Sequence, residues 1–396
     1  MRILLHMGQS KTGTSSLQES LTGAADRLRA RRVLYPPLTP GRSHHHLLMS
    51  VCGQLGRVPP WLLEFLGGEE AATKAFNDQW AKACQIIRDE PIDLLILSSE
   101  LLIHQTDGQH KTALAEFLKP LSDDITPVVY IRHPVDHYRS RVQQWLKNRD
   151  RPFPPWDLKL RQAILDTEAA FGQRAELVTF DRKTLHGGDI IQDFALRFLQ
   201  PYVKPGELPS VRRNVGLSAE ALVLMSQIRA EMGGTYEAAR QVVHLIRLLE
   251  KLDISDPPSQ PFTLVPEVAE MALRTATGHR WLVETGRLQI PGLDLDRVDG
   301  APVPEWMRTA APTSLILHDP DRLKRLREAV KRHQSKLAKR QSGADPSEKP
   351  KPRIQDLLLR FLFGKLASLQ DRNTGAVPQR TSSVQGLSQG ERNEDH

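Results

Sequence analysis

Cysteine is nearly absent: among 396 residues only Cys52 and Cys84 occur, with no C-x-x-C pair. That excludes a disulfide framework and a zinc knuckle, and makes a reducing cytoplasm the expected setting. No apolar stretch reaches the roughly 20 residues that span a bilayer. The short apolar run after Arg2 leads straight into a polar turn, so it does not read as a signal peptide. Aromatic residues make up 6% and are not interleaved with the basic runs, which leaves specific nucleic-acid recognition without support. No internal repeat is visible.

What is present is an ordinary globular composition, 39% hydrophobic and 26% charged, with a formal charge of +7 that suits an acidic ligand or surface. Strand-like apolar runs alternating with helical periodicity give an α/β class with a parallel sheet. Strands are expected at Arg2–Met7, Val33–Tyr35, Asp93–Leu97, Val128–Ile131 and Glu176–Phe180. Helices are expected over 14–31, 68–89, 189–199, 218–252 and 266–282.

Met1–Leu21, MRILLHMGQSKTGTSSLQESL, organises the rest. A buried strand runs into the small, glycine-bearing turn Gly8–Thr14, and Ser15, Ser16, Leu17 and Leu21 then take helical spacing. Such a turn aims consecutive backbone N–H groups and a helix dipole at one anion. Gly8 and Gly13 have the spacing of the ATP-binding pattern G-x-x-x-x-G-K-[ST], but Thr14 follows Gly13 and the lysine comes early, at Lys11. A lysine inside the turn lies nearer the first phosphate of a ligand than the outer phosphates of a triphosphate.

The second stretch is Thr126–Lys147, TPVVYIRHPVDHYRSRVQQWLK. Arg132 stands at a strand's carboxyl end, Pro134 opens a helix, and Ser140 falls about two turns into it. A guanidinium and a hydroxyl would thus approach one anion from two directions; the bland reading pairs Arg132 with a surface carboxylate.

The run Lys11-Thr12-Gly13-Thr14-Ser15-Ser16-Leu17-Gln18 resembles the 5′-phosphosulfate loop of sulfotransferases that use 3′-phosphoadenosine 5′-phosphosulfate (PAPS), and Arg132-His133-Pro134 through Ser140 resembles their 3′-phosphate motif. The resemblance covers roughly residues 1 to 295 in pieces. It implies a three-layer parallel sheet with a P-loop-like 5′-phosphosulfate loop, a helical C-terminal part and a basic tail. It also implies a donor site of Gly8, Ser10, Lys11, Thr12, Gly13, Thr14, Ser15, Arg132 and Ser140, with no metal. The implied activity moves a sulfuryl group from PAPS to a hydroxyl, bacterial relatives pointing to a carbohydrate or glycolipid acceptor. The glycine-rich third motif is missing, although Arg212 or Arg213 would be able to close over the nucleotide.

A histidine with a pKa near neutral suits removal of the hydroxyl proton. His44, His45 and His46 are the candidates, with His45 first because a helix starting there would turn it and Leu48 to one side. Glu100, after the strand ending in Ser98-Ser99, is the other, at the strand end where open α/β sheets hold ligands. Ser98 or Ser99 as a plain helix cap would explain the same letters. A kinase or NTPase with an aberrant loop, and a non-catalytic nucleotide-binding scaffold, are the alternatives.

Three regions follow: 1–318 as the α/β domain with its helical later part, 319–370 as a basic and amphipathic helical tail, and 371–396 as disordered. Residues 321–340 hold nine lysines and arginines against Asp321 and Glu328. Ile354 to Leu369 recur at helical spacing, which suits an anionic membrane, a partner or the catalytic domain itself.

Overall fold

Residue parity along the central strands decides the architecture. In the computed structural model, which describes residues 1–148, 154–155, 159–211, 216–232 and 236–342, five strands form one parallel sheet. They are β1 (Arg2–His6), β2 (Val33–Leu34), β3 (Leu94–Ser98), β4 (Ile125–Ile131) and β5 (Glu176–Thr179), ordered β2-β3-β1-β4-β5. Ile3, Leu5, Leu95, Leu97, Val129 and Ile131 face one side, against the helices Glu69–Asp89, Gly108–Leu118 and Leu160–Phe171. Leu4, Leu94, Ile96, Val128, Tyr130 and Val178 face the other, against Thr14–Gly23 and Ile190–Phe198. Burial on both faces explains why these strands read as unbroken apolar runs.

Strand β4 starts three residues earlier than expected and contains Pro127. The proline is tolerated because β5 pairs with β4 only from Val128 onward, so the missing N–H has no partner to lose. The expected first helix is broken at Ala24, which separates Thr14–Gly23 from Ala25–Arg29.

A second core joins the helix Pro134–Asn148, through Tyr138, Val142 and Leu146, to the helices Ala219–Met232, Tyr236–Ser255 and Pro266–Arg274. The boundary expected at 318 is corrected here. The helix Pro320–Ser342 buries Leu323, Leu326 and Val330 in this core. Arg322 is enclosed between Glu220 (2.6 Å) and Asp253 (2.7 Å), so the first turns of the basic helix belong to the body of the protein. The sequence from 343 onward, with the expected amphipathic segment, lies outside the described residues, as do Arg212 and Arg213. No described helix is long and apolar enough to cross a membrane.

Candidate active site

The turn after β1 remains tied to β4: Met7 and Gln9 donate to the carbonyls of Val128 and Tyr130, and Tyr130 donates back to Gly8. Gly8 has φ +103°, and a Cβ there would stand 3.1 Å from the Glu100 Cα. Gly13, at φ +79°, precedes the helix Thr14–Gly23; a Cβ would meet Ile190 at 2.9 Å. Both positions need glycine for conformation and space. Lys11 adopts φ +65° without that freedom. It is held there by Arg132, whose Nη1 donates to the Lys11 carbonyl at 3.0 Å.

No side chain caps the helix Thr14–Gly23. Its first N–H groups therefore remain available, and Gly13, Thr14, Ser15 and Ser16 line the adjoining cleft. Thr12 is buried and donates its hydroxyl to the Gln9 carbonyl (2.5 Å). Thr14 donates to the same carbonyl at 3.3 Å. Their hydroxyl protons thus brace the turn, leaving Ser15 and Ser16 as the hydroxyl donors of the helix start beside the cleft.

Arg132 follows β4, its backbone N–H reaching Gln9 Oε1 at 3.4 Å and its guanidinium lying 5.5 Å from the Phe180 ring centre. Burial lowers its pKa and Asp136 opposes the shift; an arginine nevertheless keeps its charge. Ser140 and Gln144, one turn apart on the helix Pro134–Asn148, line the same cleft.

Glu100 and Lys11 meet this cleft from β3 and β1. Burial raises the Glu100 pKa, opposed by the positive charge of Lys11; burial likewise lowers that of Lys11, opposed by Glu100. They sense each other without forming an ion pair, and among the described residues neither charged group is hydrogen-bonded.

The three adjacent histidines hold the strand end instead of entering the cleft. The His45 N–H donates to the Ser98 carbonyl (2.9 Å), and its Nδ1 accepts from the Ser98 N–H (3.1 Å). Its ring stacks on Tyr35 at 4.4 Å. Neutral imidazole has one acceptor nitrogen, so that bond assigns the proton to Nε2 and leaves no lone pair to receive another. With 1% of its surface exposed and burial pushing its pKa down to about 3, His45 is not brought into the cleft with Lys11 and Glu100. His46 Nδ1 bonds with Ser99 Oγ (3.0 Å), and His44 stacks on His46 at 3.7 Å. From below, His6 Nδ1 and Gln18 Nε2 reach Ser98 Oγ at 2.8 and 3.1 Å.

The cleft measures about 1510 Å³. It brings together Lys11, Gly13, Thr14, Ser15, Glu100, Arg132 and Ser140, while Gly8, Ser10, Thr12 and His45 are not among the residues that line it. Sequence reasoning missed Phe180, Arg182, the turn Ile290–Gly292 and Arg297 along its rim. The strand-end rule pointed towards Phe180 and Arg182; nothing local marked the other two. Among the described residues no group of three His, Cys, Asp or Glu side chains is placed to hold a metal ion.

No family model matches the chain, and no curated protein matches it. Among solved structures the chain is similar to a "Sulfotransferase Domain from the Curacin Biosynthetic Pathway", at 12% identity and a TM-score of 0.29, over 54% of this chain and 80% of that one.

Proposed function

We propose that this protein is a sulfotransferase that moves a sulfuryl group from PAPS to a hydroxyl of a carbohydrate or glycolipid. The observation that carries the reading is the convergence of an unpaired lysine ammonium, an uncapped helix start and the Arg132 guanidinium on one cleft. These groups fit a nucleotide with phosphate at both its 5′ and 3′ positions. N–H groups of the helix start and the Ser15 hydroxyl bind the 5′-phosphate. Arg132 and Ser140 bind the 3′-phosphate, which separates this nucleotide from ATP.

The bound donor supplies one piece of chemistry, an S–O bond to phosphate that breaks as the acceptor oxygen bonds to sulfur. Lys11 stabilises negative charge developing on the departing phosphate oxygen. Its lowered pKa follows from the desolvated setting in which a fixed positive charge acts most strongly. Glu100 takes the acceptor's proton, and its raised pKa makes it a better base than an exposed carboxylate. Tethering by His45 and His46 at Ser98 and Ser99 fixes the backbone from which Glu100 projects.

The test is transfer of labelled sulfate from PAPS to cell-envelope extract, with Lys11→Ala as control. Label transferred by the wild type and lost in the variant supports the reading. Nucleotide binding that requires Mg²⁺ and does not distinguish a 3′-phosphate supports a kinase instead.

A further inference from the structure

Arg42 is half-buried against two aromatic rings one turn apart on the helix Pro60–Leu66, its guanidinium carbon 4.8 Å from the Trp61 ring centre and 5.2 Å from that of Phe65. Among the described residues the guanidinium makes no hydrogen bond or ion pair, and its buried Nε has no partner at all. Other arginines drawn from solvent are paired: Arg287 with Glu168, Arg322 with Glu220 and Asp253, and Arg132 with the Lys11 carbonyl. A guanidinium resting on two rings, with its donors unused, is preorganised for a two-pronged oxyanion.

Position selects what that oxyanion belongs to. Along the carboxyl ends of the sheet, the side chains follow the strand order: Phe180 and Arg182 after β5, Arg132 after β4, Lys11 after β1, Glu100 after β3. On the proposed function the nucleotide would lie on the β4–β5 side of Lys11, which leaves the β3–β2 side of Glu100 to the acceptor. Arg42 lies in the segment that follows β2. Its charge is felt by His44, which stacks on His46, which bonds to Ser99, the neighbour of Glu100; Arg42 itself stands outside the lining of the cleft.

We infer that Arg42 is an anion receptor for the acceptor, which carries an oxyanion, either a uronic-acid carboxylate or a sulfate ester already in place, near the hydroxyl that is modified. The inference deepens the sulfotransferase reading and rests on it for the identity of the ligand. Trp61 and Phe65 serve as the walls that hold the guanidinium in position.

Side-chain NMR of the full-length protein tests it, following the Nε–H signals of Arg42, Arg132 and the exposed Arg57. The probes are methyl glucuronide, methyl sulfate, neutral methyl glucoside and adenosine 3′,5′-bisphosphate. Arg42 is expected to shift saturably with one or both anions, at least tenfold more tightly than Arg57, and to ignore the glucoside. Response to the glucuronide alone assigns a carboxylate acceptor, and response to methyl sulfate alone a sulfated one. Phe65→Ala should weaken the binding several-fold while the Arg132 response to the bisphosphate is unchanged. No shift at Arg42, or one no stronger than at Arg57, overturns the inference. Loss of the Arg132 response to the bisphosphate with Arg42 still responding would instead reject the donor assignment and leave the anion site standing.

Discussion

Arg132 donates through Nη1 to the main-chain carbonyl of Lys11 across 3.0 Å. Each of the two strand-end turns therefore shapes the other. The guanidinium supports a lysine backbone in the left-handed region, and the carbonyl fixes the guanidinium beside Phe180.

Because the lysine contributes its carbonyl to that contact, Lys11→Ala removes only the ammonium. Sulfate transfer is expected to fall about 100- to 1000-fold, the scale of losing one preorganised group at a developing oxyanion. Affinity for adenosine 3′,5′-bisphosphate should fall less than tenfold. Calorimetry beside single-turnover rates separates the two, and equal losses in both would remove Lys11 from the reacting end.

Arg132→Ala should weaken the 3′,5′-bisphosphate by about 1.5–3 kcal/mol, the worth of a hydrogen bond to a charged group. The 5′-monophosphate should be affected far less. Equal weakening of both would mean that Arg132 acts only through the turn it braces.

The pH dependence has a definite sign. Burial raises the Glu100 pKa, so a base that must be unprotonated loses activity at a higher pH than an exposed glutamate would as acid is added. The Lys11 pKa is lowered, so the alkaline limb starts below the usual lysine range. In Glu100→Gln the acid limb should vanish with most of the rate. If the limb persists in the kcat/KM profile of that variant, the proton goes elsewhere.

His45 and His6 are buried neutral, with pKa values pushed down to about 3 and about 4. Below the ordinary value of 6.5 the unfolded chain takes up protons that the folded chain refuses. Stability is therefore full above that pH and declines as acid approaches the folded values, by up to about 1.4 kcal/mol per pH unit for each histidine. Denaturant midpoints from pH 7 to 4.5 measure the slope, and His45→Gln should reduce it.

Arg322→Ala leaves Glu220 and Asp253 without their cation inside the second core. It should cost about 3–5 kcal/mol, the usual penalty for removing one partner of a buried pair. Bisphosphate affinity of the folded fraction should not change, since no residue of that cluster lines the cleft.

Legibility followed the range of the forces involved. Strands buried on both faces announce themselves as apolar runs, and Gly8, Gly13 and Pro134 mark turns by their own backbone limits, so the central strands and the turns that follow β1 and β4 were readable. The helix Gly108–Leu118 was missed because Lys111 and two leucines make up its buried face, whereas Leu160–Phe171 carries a helical repeat, Leu160, Ala163, Ile164 and Thr167, that was passed over. The assignment of His45 as a base failed for a related reason: a histidine's proton is assigned by its partner, here the Ser98 N–H, which lies 53 residues away.

By itself the chain of letters determined which segments become the strands of the central sheet, and that two of them end in groups suited to anions, because periodicity and turn chemistry act over a few residues. Only the tertiary structure decided that Lys11, Arg132 and Glu100 open into one cleft, that Arg322 is enclosed, and that the Arg42 guanidinium rests on two rings without a hydrogen-bond partner among the described residues. Those outcomes depend on which strands lie side by side and which charges are drawn from water, and both are properties of residues far apart in the chain.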